Sequence, residues 1–268
     1  FAQRNRIQLN HIHHLGQGYL SDMGGIYTLG PSPGTVLRGN VIHDVDSWGY
    51  GGWGLYNDEG SSDILLENNL VYRTKSGGYH QHYGRNNLVR NNIFALGREY
   101  QIQRTRVEDH LSFTFEQNIV YWERGKLFHG RWGDQNVRVR RNLYWRPRGE
   151  VDLGEGDQSG ESIVADPRFV APQKDDFRFI DTKAIERIGF QPFDSSKAGV
   201  YGDPAWVRRA KSLPMPSMDQ PPDPPPLELR EDIEFGELPI SARISVDEKL
   251  GGIDVAEVPH ARSGSRVL

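Results

Sequence analysis

Cysteine is missing from all 268 residues, which removes disulfides, zinc–thiolate centres and thiol nucleophiles from the chemistry open to this chain. Its absence leaves the compartment open, because exported bacterial-type proteins often dispense with cysteine as well. No apolar run reaches the roughly eighteen residues that a membrane-spanning helix needs. Neither sign of charge dominates: 36 acids against 32 Lys and Arg give a net charge of −4, which makes no electrostatic bid for nucleic acid or a membrane surface. A glycine-rich phosphate loop between strand and helix is also missing, and the one G-x-S-x-G string, GPSPG at residues 30–34, opens no helical pattern and so makes no nucleophile elbow, which leaves nucleotide chemistry and serine hydrolysis without support. The chain begins FAQRNRIQLN, without an initiator methionine or a signal peptide, and its natural N-terminus is expected upstream.

What is present is a repeat hidden by uneven loops. Six segments align on an asparagine, namely Asn10, Asn40, Asn69, Asn92, Asn118 and Asn142, at spacings of 30, 29, 23, 26 and 24. Three positions before each stands Ile7, Leu37, Leu66, Val89, Phe115 or Val139, and two positions after stands Ile12, Ile42, Val71, Phe94, Val120 or Tyr144. Both columns are wholly apolar. Short β-branched and aromatic runs broken by Asn and Gly exclude the 3.6-residue helical period and read as stacked strands. A period in the twenties predicts an all-β, right-handed parallel β-helix. Asparagine suits its corners for two reasons: it tolerates the left-handed backbone region, and stacked asparagines can hydrogen-bond from coil to coil.

A second strand column aligns GIYTLG, GLYNDE, GYHQHY, EYQIQR and KLFHGR. This alignment puts Ile26, Leu55, Tyr79, Tyr100 and Leu127 inside. Strand alternation then turns Tyr27, Tyr56, His80, Gln101 and Phe128 outward, followed two residues later by Leu29, Asp58, His82, Gln103 and Gly130. Coils about 4.8 Å apart bring these side chains within reach of one another.

The candidate chemistry lies on that outer face. Asp22 before a Gly pair, and Asp58 with Glu59, where EGSS ends a strand, each have a plain reading as turn residues. Beside Tyr27, Tyr56, His80 and His82, however, they make a carboxylate pair flanked by aromatic rings, which suits a sugar-binding cleft. Gln101 and Gln103 extend the expected binding face. Arg104, with Arg106 and Arg131, reads either as a solvated basic edge or as a group for carboxylated sugars or β-elimination. His80 and His82, and the His11, His13 and His14 of HIHH, lack a third ligand at a convincing spacing, so no metal and no cofactor is expected. His13 and His43 share a column with Tyr72 and read as a surface ladder.

Beyond residue 145 the repeat fades. ADPRFVAPQKDDFRFI reads as a closing coil and AIERIGFQPFDSSKAGVYG as a cap over the end of the solenoid, completing a domain over residues 1–205. Residues 206–226 read as a Pro-rich linker, and residues 227–268 as the cut-off start of a second β domain, a β-sandwich.

Four stretches carry a family likeness: SDMGGIYTLGPSPGTVLRGNVIHDV, YGGWGLYNDEGSSDILLENNLVYRTKSGGYHQHYG, QIQRTR…HLSFTFEQNIVYW and DFRFIDTKAIERIGFQPFD. Over about residues 1–205 the chain resembles the right-handed parallel β-helix proteins around glycoside hydrolase family 141, mostly exported bacterial enzymes with fucosidase and xylanase activities on plant cell-wall polysaccharides. The resemblance implies two catalytic aspartates, for which Asp22 and Asp58 are the matching residues, with Glu59 adjoining the second. It further implies a polysaccharide or oligosaccharide substrate, a secreted or periplasmic location, earlier coils upstream, and a tail resembling the opening of a concanavalin-like sandwich. Glycoside hydrolysis is thus the expected function, and the rivals are a polysaccharide lyase and a noncatalytic carbohydrate-binding β-helix.

Overall fold

The computed structural model describes residues 2–214 and the two short strands Ile244–Asp247 and Gly252–Val255, which pair antiparallel. Residues 2–164 wind into a parallel β-solenoid with three sheets. The coil holding Val36–Arg38, Val41–Val45 and Trp53–Asn57 is typical, giving one strand to each sheet. Stacking of successive coils makes a first sheet of six strands, a second of seven and a third of five, and every pairing within them is parallel. This is the right-handed β-helix that the repeat predicts.

Both apolar columns beside the asparagines point inward. Leu37, Leu66, Val89 and Phe115 from the first sheet, and Ile42, Val71, Phe94, Val120 and Tyr144 from the second, are fully enclosed. They meet Leu55, Tyr79 and Ile102 from the third sheet in one core. Alternate residues of the second sheet, among them Leu70, Tyr72, Ile93, Ile119, Tyr121 and Leu143, face out yet are also buried.

The asparagines hold the corner between the first two sheets, by only one of the two expected means. The left-handed residue is the one before: Leu9, Gly39, Asn68, Asn91, Gln117 and Arg141 have φ between 51° and 65°. The asparagine itself is the ladder. Asn40 donates to Asn69, Asn69 to Asn92 and Asn92 to Asn118, at 2.9–3.0 Å. Each also donates to a carbonyl of the preceding coil, as Asn92 does to Leu66 at 2.9 Å. A buried amide whose partners are all supplied by neighbouring coils fixes coil height and register together.

The expected end cap is a lateral strap. Ile163–Val164 adds the last rung of the second sheet. The chain then turns back along the outside of that sheet, through an antiparallel pair formed by Phe169–Ala171 and Asp176–Phe179. Phe177 lies 5.0 Å from Tyr72 and Phe169 5.8 Å from Tyr121, ring centre to ring centre. Gln117 donates to the Gly189 carbonyl, Asn91 to that of Gln191, and Gly199 N–H to that of Leu9 in the first coil. The physical reason is the apolar outer face of the second sheet, which must be covered to leave water. The same strap covers Tyr72 through Phe177, and His43 is buried as well, so the expected surface ladder reaches the surface only at the half-buried His13.

Pro204–Ser212 is helical, capped by the Asp203 side chain, so helix occupies the first part of the segment read as linker. Residues 215–243, which include the rest of that linker, lie outside the described residues, as does most of the expected β-sandwich region.

Candidate functional site

Third-sheet register places the outer face. Tyr27 pairs with Tyr56, Tyr56 with His80, His80 with Gln103 and Gln103 with His129. The sequence alignment is therefore two residues out in the fourth coil, where Ile102 and not Tyr100 continues the column of Tyr79. A slip of two keeps every side chain on its own face, so the alternating pattern YQIQ does not distinguish the two registers. In the fifth coil the error is one residue: Phe128 pairs with Ile102 and packs on the core, while His129 faces out.

Two carboxylates and two phenols pair on this face, with a third phenol, Tyr50, beside Asp22. Tyr56 donates to Asp22 at 3.1 Å, and Tyr27 donates to Asp58. Burial, foremost, and then the two carboxylate charges drive the Tyr56 phenol far above its ordinary pKa, and the bond to Asp22 adds to the effect. Burial, followed by the neighbouring Asp22 carboxylate, pushes Tyr50 up to about 12. The two bonded pairs, Tyr56 with Asp22 and Tyr27 with Asp58, stand side by side, their rings 4.7 Å apart and edge to face.

Local sequence explains this placement. Asp22 adopts a left-handed φ of 50°, which Asp tolerates better than most residues. A Cβ on Gly51 would stand 2.9 Å from the Asp22 nitrogen, so a glycine there lets the coils close around the acid. Likewise a Cβ on Gly24 would stand 2.8 Å from the Tyr56 Cβ. The paired glycines of both motifs are thus the seats of Asp22 and Tyr56.

Beyond the acids, the face is stiffened by rings. His80 stacks on Tyr56 at 4.7 Å and 10° and lies 4.2 Å from Trp53. Burial above all, helped by His82 and His129, keeps the His80 imidazole well below its usual pKa and therefore neutral. Thr105 Oγ1 meets both His80 Nε2 at 3.0 Å and His82 Nδ1 at 2.7 Å. Gln103 accepts from Trp53 Nε1 at 2.8 Å and from the Tyr100 hydroxyl at 2.7 Å.

The structure brings together Asp22, Asp58, Tyr27, Tyr56, His80 and Gln103, with His82 linked through Thr105. Three expected members stand apart. Gln101 is buried and spends its amide on Gly97, accepting from its N–H at 2.9 Å and donating to its carbonyl at 3.0 Å. Arg104 is fully enclosed, with Nη1 2.5 Å from Asp134, so it is neither a solvated edge nor a group on the outer face. Glu59 is exposed beside the site and contributes charge near Tyr27, but it is Asp58 that Tyr27 holds. Tyr50, Trp53 and Thr105 were missed. Trp53 and Tyr50 lie in the quoted motif, where a repeat with Tyr56 was the only pattern sought, and Thr105 becomes visible only with the corrected register.

A family model described as Right handed beta helix region matches residues 2–143, more than half of the 268-residue chain. The chain belongs to this family. The match spans every strand of the first and third sheets and the first five of the second, so the Tyr–Asp face is built on the matched coils. No curated protein matches the chain, and no solved structure does. Right-handed β-helix regions are common in polysaccharide-active enzymes.

Proposed function

We propose that this β-helix hydrolyses glycosidic bonds in plant-type polysaccharides, of the fucosidase or xylanase kind, and does so outside the cytoplasm. The observation that carries the reading is two carboxylates from adjacent coils, Asp22 and Asp58, each held by a phenol, from Tyr56 and Tyr27, whose rings pack edge to face beneath an open edge at Tyr27 and Tyr50. Hydrolysis needs two carboxyl groups flanking the scissile bond: one protonates the leaving oxygen, and the other activates water or attacks the sugar carbon. Asp22 and Asp58 are the pair, arriving from adjacent coils at opposite ends of a strand level. Each acid takes its own phenolic hydrogen bond, Asp22 from Tyr56 and Asp58 from Tyr27. Tyr27, 44% exposed, and Tyr50, 57% exposed, offer apolar ring faces to a pyranose. His82, half-buried, extends the binding surface along the coils, with the buried His80 and Gln103 beneath it.

Elimination by a lyase would look to an arginine on this face, and the enclosure and pairing of Arg104 with Asp134 favour hydrolysis instead. The test is incubation of the chain with a panel of xylans and fucosylated plant polysaccharides. New reducing ends without ultraviolet-absorbing unsaturated products support the reading. Unsaturated products would identify a lyase, and binding without any product would identify a noncatalytic module.

A further inference from the structure

Outside the Tyr–Asp face, the densest gathering of donor groups is the corner that ends the second sheet in the first two coils. His13 and His43 pair across these coils, as do His11 and Val41. His11 Nε2 lies 2.7 Å from His43 Nε2, and His43 Nδ1 lies 2.5 Å from Asp44 Oδ2. His13 Nδ1 is 2.9 Å from His14 Nδ1. One donor atom each from His14, His43 and Asp44 lies within 4.8 Å of the other two. His14 and Asp44 share the same left-handed corner conformation, φ 55° and 52°, one coil apart, which stacks an imidazole on a carboxylate.

Charge at the corner favours a cation. Arg73 donates to both Asp44 oxygens at 2.8 Å and also to Asp175, so one guanidinium faces two carboxylates. One negative charge is left over. Asp44 Oδ1 accepts only from Arg73, and Oδ2, which also faces His43 Nδ1, keeps a lone pair free when the His43 proton is on Nε2.

We propose that His14, His43 and Asp44 bind a divalent transition-metal ion, with zinc as the best fit, and that the ion staples the first two coils together. Two imidazoles and a carboxylate suit borderline ions, whereas calcium and magnesium take oxygen donors. Bonds of about 2.0–2.1 Å in a four-coordinate site put donors about 3.3 Å apart, so the cluster closes with side-chain shifts of about 1 Å. Water fills the remaining position. His43 binds through Nδ1, and its Nε2–H donates to His11 Nε2, the outer contact that orients a metal-bound imidazole. None of these residues belongs to the Tyr–Asp face, so the two readings stand or fall separately.

The test uses the full chain, stripped with a chelator and titrated with zinc chloride against a chromophoric zinc chelator, with the Tm followed in parallel. We expect one equivalent to bind and to raise the Tm, because an ion that binds only the folded chain stabilises it. Affinity should fall by at least about a hundredfold in His14→Ala and in Asp44→Asn, and by about tenfold in His11→Ala. His110→Ala, which removes an imidazole outside the cluster, should bind zinc as the wild type does, and millimolar calcium should not compete. Circular dichroism checks that each variant is folded, and His14→Gln keeps the side-chain bulk should His14→Ala fail to fold. Failure of the folded wild-type chain to take up zinc would overturn the site, as would undiminished uptake by folded His14→Gln and Asp44→Asn variants.

Discussion

Tyr56 donates a hydrogen bond to Asp22 at 3.1 Å across 34 residues of sequence, from one coil of the solenoid to the next. The contact exists because coil stacking sets Tyr27 beside Tyr56 and because glycines beneath both motifs let the backbones approach. Stability and site geometry thus depend on the same register.

Tyr56→Phe separates those two roles. The ring keeps its stack on His80, and Asp22 loses its phenolic partner. We expect stability to change by no more than about 1 kcal/mol, the ordinary net worth of one hydrogen bond, while kcat falls by at least about tenfold. Thermal melts and turnover on the best polysaccharide check the split. Loss of both in proportion would make Tyr56 a structural residue only.

Leu66→Asp and Leu29→Asp place the same carboxylate on opposite sides of the wall. Leu66 is fully enclosed and Leu29 is 58% exposed. An unpaired charge in the core costs several kcal/mol, whereas an exposed change stays within about 0.5 kcal/mol. Denaturant melts should show Leu66→Asp unfolded or nearly so and Leu29→Asp close to wild type.

His80 gives the fold a pH dependence. Its folded-state pKa lies below the unfolded value of about 6.5, chiefly through burial, so the unfolded chain binds the proton more readily. The stability of the neutral form is therefore fully present above about pH 6.5 and is lost as pH falls towards the depressed folded value. Between pH 7 and 5 the wild type should lose stability more steeply than His80→Gln, by up to about 1.4 kcal/mol per pH unit. Parallel slopes in urea titrations would mean that His80 is not held neutral.

The repeat itself was legible because the solenoid makes strict demands: one buried amide ladder and two inward apolar columns per coil. Leu66, Phe94 and Asn92 could be placed from spacing alone. The left-handed corner fell one residue before each asparagine, since Asn68, Arg141 and even Leu9 accept that conformation where the ladder enforces it. Gln101 was misplaced because a two-residue slip leaves alternation intact. The strap was taken for a cap because its apolar residues, such as Phe177 and Ile185, reveal burial but not the surface they cover. His14, His43 and Asp44 meet across two coils, so no linear spacing of metal ligands marks them.

The central claim is that Asp22 and Asp58 act as a pair, and the most direct measurement is turnover by Asp22→Asn and Asp58→Asn beside the control Asp63→Asn, which alters a neighbouring acid outside the two Tyr–Asp pairs. Both paired variants should lose turnover by a factor of at least about a thousand with a nearly unchanged Tm, and Asp63→Asn should retain most of it. Near-full activity in either paired variant, or inactivation by Glu59→Gln alone, would contradict the assignment.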